Sequence, residues 1–219
     1  RKRNRPMLRC AVLVSGGGTN LQALIDAGKD GRLTDTEFVM VFSNRKDAFA
    51  LQRAKDAGIP VHAFSPKDFS DRSKFEEALY DLLLQVSPDL IVLAGFLLKV
   101  PDSIVTHFEN RIINIHPSLI PSFCGEGAYG IKVHEMALQR GVKVSGATVH
   151  FVDKGMDTGP ILLQKAVEVR QDDTPLSLQK RIMEQAEWHL LPLAVDLIAR
   201  GKVRVNAQHR VEMEDEDKK

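Results

Sequence analysis

The sequence has few of the features that mark a special class of protein. It contains only two cysteines, Cys10 and Cys124, and neither has the Cys-x-x-Cys or Cys/His spacing of a metal site. These counts exclude a disulfide framework. No stretch approaches the roughly 18 continuous apolar residues of a membrane span, and no secretory signal pattern is present. We therefore expect a protein of the reducing cytoplasm, without a membrane partner or a bound metal.

The chain also has little net charge, since 30 basic and 29 acidic residues leave a formal charge of +1 over 219 residues. Such a balance gives no strong field for nucleic acid, so we expect no nucleic-acid partner. Charge is concentrated at the two ends, which we interpret as solvated tails. We expect a single domain, residues 1–219, with a core at about 8–201 and tails at 1–7 and 207–219.

Hydrophobic periodicity alternates between strands and helices along the chain. Apolar runs rich in β-branched residues predict strands at 8–14, 38–42, 61–64, 90–94 and 112–116, with helical spacing between the first four. Strands that are apolar on both faces belong to a parallel sheet covered on both sides, so the fold class is α/β, a doubly wound and mostly parallel sheet flanked by helices. Two further runs, 144–152 and 161–169, predict an antiparallel edge. A last long helix is expected from 174 to about 200.

A glycine-rich loop, S-G-G-G-T-N at 15–20, lies between the first strand and the first helix. Its glycines let backbone N–H groups approach a ligand, and the N-terminus of a helix favours an anion. Thr19 or Asn20 can cap that helix. The loop matches neither a Walker loop nor G-x-G-x-x-G. It predicts either a phosphate or carboxylate site or a tight turn without a ligand, the site residues being Gly17, Gly18, Thr19 and Asn20.

The segment N-I-H-P at 114–117 carries the most chemical information. Side chains two apart on a strand share a face, so Asn114 and His116 project together at a strand end that Pro117 fixes. A carboxamide donor beside an imidazole suits an oxyanion and a proton transfer, although a histidine packed in the core is the alternative. The turn at 153–160 carries Asp157. If Asp157 meets His116, its carboxylate raises the imidazole pKa and holds the ring charged.

Several motifs in order resemble the glycinamide ribonucleotide formyltransferase family from about residue 8 to 197. The motifs are V-S-G-G-G-T-N-L-Q-A-L, F-S-N-R, D-L-I-V-L-A-G-F, I-I-N-I-H-P-S-L-I-P and V-S-G-A-T-V-H-F-V-D-K-G-M-D-T-G-P-I-L. The resemblance implies a Rossmann-like fold and an enzyme of de novo purine biosynthesis. It also implies that the amine of glycinamide ribonucleotide attacks the formyl carbon of 10-formyltetrahydrofolate, the co-substrate, to give a tetrahedral intermediate, with no metal, in a monomer or homodimer.

The family's site residues carry over by position. The resemblance implies that Asn114 and protonated His116 stabilise the oxyanion, while Asp157 orients His116. The phosphate loop matches Gly17, Gly18, Thr19 and Asn20, the acid at the ribose matches Glu187, and the substrate groove matches Gly95 and Pro117. The implied folate-binding residues are Arg72, Phe96, Leu97, Leu98, Lys99, Val100, Asn114 and Asp153.

The sequence departs from the family pattern in two places. The segment P-S-F-C-G-E-G-A-Y-G-I-K-V-H at 121–134 is longer than in many relatives, and Leu98-Lys99 replaces an Arg-Ile pair common in some of them. His134 ends the longer segment, and we interpret it as structural or solvent-facing rather than catalytic. His150 has two interpretations, support of the catalytic network or a satisfied core histidine.

Three alternative functions are compatible with parts of this pattern. A methionyl-tRNA formyltransferase would carry a further tRNA-binding domain, and a formyltetrahydrofolate deformylase an N-terminal regulatory domain. We expect neither, because only nine residues precede the first strand's apolar run and the chain ends soon after the last helix. A nucleotide-binding module without turnover would use the 15–20 loop but would have no need of Asn114, His116 and Asp157 together.

Overall fold

A seven-stranded sheet forms the centre of the protein, whose computed structural model describes residues 5–214. The strands are β1 (Leu8–Val14), β2 (Thr36–Ser43), β3 (Val61–Ala63), β4 (Leu90–Leu93), β5 (Ile112–His116), β6 (Val144–Phe151) and β7 (Ile161–Glu168). They lie in the order β3-β2-β1-β4-β5-β6-β7, in which β6 alone runs antiparallel to its neighbours. The predicted mostly parallel sheet with an antiparallel edge is thereby confirmed.

Helices cover both faces of this sheet. They are α1 (Thr19–Lys29), α2 (Phe49–Asp56), α3 (Arg72–Val86), α4 (Asp102–His107), α5 (Ile131–Arg140), α6 (Pro175–Ile182) and α7 (Trp188–Ala199). Alternate residues of β1 enter two different cores, Val12 and Val14 one and Leu13 the other. Successive side chains of a strand point to opposite faces, so the sheet has a packed layer on each side. Within residues 5–214, no helix combines the length and apolar character needed to cross a bilayer.

Two elements near the C-terminus differ from the sequence prediction. The expected long helix from 174 to about 200 is present, but its α-helical pattern changes to a π turn at Met183–Glu187, between α6 and α7. The expected tail at 207–219 is partly structured, since β8 (Val203–Val205) and β9 (Val211–Met213) form an antiparallel hairpin whose valines pack against the larger core. The outermost parts of both predicted tails, 1–4 and 215–219, lie outside the described residues.

The pairing of β1 with β4 marks the point where the strand order reverses. From β1 the chain builds outward through β2 to β3, and from β4 it builds through β5 in the other direction. Ligands of open α/β sheets bind at the carboxyl ends of the strands beside such a point. The segments that follow β1 and β4 meet there, where the Ser15 N–H donates to the Gly95 carbonyl at 3.1 Å.

A substitution at Gly146 tests the close pairing of β6 with β7. A Cβ atom on Gly146 would lie 2.1 Å from the Lys165 carbonyl oxygen, which belongs to the paired strand. We expect Gly146→Ala to lower the free energy of unfolding in urea by about 2 kcal/mol or more. Gly28→Ala is the matched control, because its Cβ would meet Phe38 at an ordinary 3.8 Å in a helix that favours alanine. A Gly146→Ala variant as stable as the parent would contradict this register.

Candidate active site

A cavity of about 460 Å³ opens at the carboxyl ends of β1, β4 and β5. It is the place where a doubly wound sheet binds its ligands. Nearly all of the site residues predicted from the sequence line its wall: Gly17, Gly18, Thr19, Asn20, Gly95, Phe96, Leu97, Leu98, Lys99, Val100, Asn114, His116, Pro117, Asp153, Asp157 and Glu187. Residues that are far apart in sequence therefore share one site.

Arg72 is the predicted site residue that does not line this cavity, and its implied folate contact stays a prediction. It is the first residue of α3, which follows the edge strand β3, two strands away from β1. Its guanidinium instead pairs with Glu76 at 3.3 Å and lies over the Phe75 ring at 5.6 Å. These local partners hold the side chain on its own helix.

One end of the cavity is formed by the glycine-rich loop and the start of α1. Gly18, with φ 77°, is the N-cap and supplies no side-chain hydrogen bond, so the predicted capping by Thr19 or Asn20 is wrong. The first N–H groups of the helix therefore remain available to an anion. Gly18 is required here, because a Cβ atom would lie 2.6 Å from Cβ of Ala50.

Asn20 and Glu187 form a buried pair beside this loop. The Asn20 amide donates to Glu187 Oε1 at 3.1 Å. Among the described residues, neither Asn20 Oδ1 nor Glu187 Oε2 has a hydrogen-bond partner. Burial raises the pKa of the Glu187 carboxyl to about 7, against which the Asn20 hydrogen bond acts only weakly. Two buried oxygens in the cavity wall, Asn20 Oδ1 and Glu187 Oε2, can therefore accept hydrogen bonds from a ligand.

Ser15 joins the two loops of the site, a role that the sequence analysis missed. Its hydroxyl donates to Asn44 Oδ1 at 2.6 Å and accepts the Leu97 N–H at 2.9 Å. The pattern Ser43-Asn44 after a strand predicts only a turn and a helix cap, yet α2 begins after Ala48 and the Asn44 side chain is buried. In the sequence, the only signal for this linking role is that a serine directly follows a buried strand. The hydroxyl fixes the glycine-rich loop relative to residues 94–100.

The catalytic candidates come together at the end of β5. Ile113 and Ile115 enter one core, so Asn114 and His116 share the opposite face, as their spacing predicts. His116 donates from Nε2 to the Phe123 carbonyl at 2.8 Å. Its Nδ1 lies 3.8 Å from Asp157 Oδ2, too far for a direct hydrogen bond. Both residues line the cavity.

Asp157 is held by the segment that follows β5. It adopts a left-handed backbone conformation, with φ 55°, and its Oδ2 accepts the Gly125 N–H at 3.0 Å. Burial opposes ionisation of the carboxyl, but the His150 imidazole, the Gly125 N–H and His116 together lower its pKa below the ordinary value. Asp157 is therefore a carboxylate at neutral pH.

The pKa of His116 is lowered, whereas Asp157 alone would raise it. Burial lowers the pKa of its imidazole, and this effect outweighs the Phe123 carbonyl and the Asp157 carboxylate, which both raise it. A nearly complete loss of solvent, with 4% of the residue exposed, explains why a carboxylate at 3.8 Å does not keep the ring protonated. At neutral pH His116 is a neutral base whose proton sits on Nε2.

Two further histidines line the same cavity. His150 donates from Nδ1 to the Phe151 carbonyl at 2.9 Å and pairs through Nε2 with the Asn114 amide at 3.1 Å, so it is buried and also part of the network. His134, in α5, is fully buried, and its interpretation as solvent-facing is wrong. Burial and the nearby His116 lower its pKa to about 4. No other group of the described chain hydrogen-bonds to either of its ring nitrogens.

Neither cysteine has the lowered pKa of an activated thiol. Burial raises the pKa of the Cys10 thiol, which lies in the core. Cys124 lies near Asp157, and burial and that carboxylate raise the pKa of its thiol. In residues 5–214, no group of three or more histidine, cysteine, aspartate or glutamate side chains is arranged to hold a metal ion.

Comparison with known proteins assigns a family to this arrangement. The sequence profile of the formyl transferase family matches residues 8–195. The chain is 37% identical to phosphoribosylglycinamide formyltransferase of Escherichia coli (strain K12), over 91% of each protein. It is 40% identical to the trifunctional purine biosynthetic protein adenosine-3 of Bos taurus over 93% of this chain, which spans only 19% of that much longer relative.

Solved structures give the same result. Glycinamide ribonucleotide transformylase 1 from Symbiobacterium toebii superimposes with a TM-score of 0.88, at 42% identity and 95% coverage of both chains. A formyltetrahydrofolate deformylase from Pseudomonas syringae also superimposes, with a TM-score of 0.84, but at 26% identity and over 66% of that chain. The deformylase is the weaker match in sequence and in coverage.

The raised pKa of Glu187 predicts a pH-dependent stability. Because the folded protein binds the proton more tightly than the unfolded chain, stability falls as pH rises from about 4.5 to about 7 and stays low above that range. Glu187→Gln removes this titration. We expect the variant to gain up to about 3 kcal/mol relative to the parent at about pH 8, and little at about pH 5. Urea denaturation at the two pH values measures it, and an equal difference at both would contradict the assignment.

Proposed function

The chain belongs to the phosphoribosylglycinamide formyltransferase family, and we propose that it transfers the formyl group of 10-formyltetrahydrofolate to the amine of glycinamide ribonucleotide in purine biosynthesis. The observation that carries this proposal is the meeting of Asn114, His116 and Asp157 in one cavity. That cavity has an uncapped helix N-terminus at one end and a largely apolar wall, residues 96–100, at another. An anionic nucleotide and a folate suit these two ends.

The ribonucleotide phosphate binds the first N–H groups of α1 in this proposal, at Gly17, Gly18, Thr19 and Asn20. The helix dipole favours an anion there. Ribose hydroxyls donate to the unpartnered oxygens of Asn20 and Glu187. Both acceptors are buried, so a hydroxyl that reaches them satisfies groups that water reaches poorly. The glycyl amine then points along Gly95 and Pro117 towards β5.

The folate binds between residues 96–100 and the 152–157 turn. Phe96, Leu98 and Val152 pack against the core that contains Leu13, and they give this part of the cavity apolar walls. Asp153 accepts from the Gly155 N–H at 3.0 Å and from Thr158 Oγ1 at 2.6 Å, so its role is to shape the turn. The pterin is bound by apolar contact and backbone groups.

Asn114 and His116 stabilise the oxyanion that forms when the amine attacks the formyl carbon. One N–H of the Asn114 amide is engaged by His150, which leaves the second for the oxyanion. Nδ1 of His116 and Oδ2 of Asp157, 3.8 Å apart, can each lie about 2.8 Å from one oxygen placed between them. Both atoms are acceptors, so the distance suits a water that donates one hydrogen bond to each of them.

His116 also carries the proton. Its neutral Nδ1 accepts the proton that the attacking amine loses as the new C–N bond forms. The resulting imidazolium donates from Nδ1 to the oxyanion, from Nε2 to the Phe123 carbonyl, and lies beside the Asp157 carboxylate. When the bond between carbon and the folate nitrogen breaks, that nitrogen takes the proton. No net proton is gained or lost.

Hydrolysis of the formyl-folate is the alternative reaction, with water in place of the amine. We therefore expect formyl transfer from 10-formyltetrahydrofolate, followed by absorbance, to require glycinamide ribonucleotide, because the uncapped helix N-terminus and the unpartnered acceptors suit a phosphorylated sugar. Mass spectrometry of the formylated product is the check. Equal turnover with water alone would identify a deformylase, and binding without turnover would identify a nucleotide-binding module.

The role of His116 predicts a separation of binding from chemistry. We expect His116→Asn to lower kcat by about 10²–10⁴-fold, since it removes the proton carrier, while the affinity for the ribonucleotide phosphate end is retained. The matched control is His62→Asn, an exposed histidine on the edge strand β3. Calorimetric binding and steady-state kinetics measure both effects. Unchanged turnover in His116→Asn would refute the mechanism.

A further inference from the structure

Three buried side chains in one cavity share an unusual property. Among residues 5–214, seven buried side-chain polar atoms lack a hydrogen-bond partner. Four of these atoms belong to Asn20, His134 and Glu187, which all line the candidate active site. Buried polar groups in folded proteins are nearly always satisfied, so such a cluster indicates that a ligand supplies the missing partners. The ribonucleotide proposed above satisfies Asn20 and Glu187 but leaves His134 without a role.

The position of His134 relates it to the ribonucleotide rather than to the folate. It lies on α5, which packs against α6, and the chain continues from α6 into the π turn that carries Glu187. It is also close enough to His116 for the two rings to interact electrostatically. The folate walls, by contrast, come from the segments that follow β4 and β6. His134 is thus a wall residue near His116, on a helix that packs against the helix leading to Glu187.

The chemistry of this ring is that of a neutral imidazole. With its charged form disfavoured by complete burial, one ring nitrogen carries a proton and the other a lone pair. In glycinamide ribonucleotide, an amide joins the glycyl amine to the ribose. That amide presents a carbonyl acceptor and an N–H donor. Because the amine lies at His116 and the ribose at Glu187 in the proposed complex, the amide must lie between these two residues.

We propose that His134 binds glycinamide ribonucleotide through a hydrogen bond to the amide that links its glycyl and ribose parts. The inference rests on the proposed function, because it places the ribonucleotide between the glycine-rich loop and His116. It makes His134 a residue that recognises the nucleotide substrate and takes no part in proton transfer. Its contribution is therefore equal in the bound substrate and in the transition state.

His134→Leu is the decisive variant, because it keeps an apolar side chain of similar bulk and removes both nitrogens. We expect about tenfold weaker binding of glycinamide ribonucleotide by calorimetry in the absence of folate, and a similar rise in its KM. We expect kcat and the KM for 10-formyltetrahydrofolate to be unchanged, and the melting temperature to be equal or higher. His134→Gln should recover part of the affinity through its amide.

Ser145→Ala is the matched control, since Ser145 Oγ is also buried and unpartnered but lies outside the cavity wall. We expect it to leave ribonucleotide binding unchanged. If His134→Leu binds the ribonucleotide as tightly as the parent while the parent transfers formyl groups to it, His134 is a packing residue and this inference is wrong. If the parent itself neither binds nor formylates the ribonucleotide, the proposed function fails as well, and the two failures are distinguished.

Discussion

The parallel pairing of β1 with β4 is the constraint on which the site depends. Four consecutive residue pairs, from Cys10 with Leu90 to Leu13 with Leu93, bring together two strands that are about 80 residues apart in sequence. Because the chain leaves these strands in opposite directions, the loops that follow them diverge and leave a crevice. The Ser15 hydroxyl spans that crevice at its base, where it contacts both Asn44 and the Leu97 N–H. A buried strand pair thus fixes the two ends of the cavity, at the glycine-rich loop and at residues 96–100, relative to each other.

Burial and hydrogen bonding act against each other at the centre of the site. The segment 122–130 provides the Phe123 carbonyl to His116 and the Gly125 N–H to Asp157, so one stretch of backbone positions both groups. The same burial that aligns the imidazole also removes water from it, and the pKa of His116 falls. The carboxylate of Asp157 stays charged because it has donors around it. A neutral base facing a fixed carboxylate is the result.

Periodicity and motif order were sufficient to predict the fold class and the antiparallel edge, and nearly all of the predicted site residues line the cavity. Strands buried on both faces are visible as apolar runs, and the alternation in β5 predicts that Asn114 and His116 share a face. Quantities that depend on tertiary burial were not predictable. The pKa of His116, the linking role of Ser15 and the full burial of His134 all depend on elements packed from elsewhere in the chain. Arg72 does not line the cavity, and its folate contact stays a prediction, because a family motif carries no information on which way an exposed side chain turns.

The π turn at Met183–Glu187 limits how the length of the chain can change during evolution. A π turn holds one residue more than the α-helical turn it replaces, and each residue of an α-helix rotates the chain by about 100°. Deleting one residue there would rotate either Glu187 away from the cavity or the apolar face of α7 away from the core. Insertions and deletions should therefore be rare between 183 and 187 in related sequences.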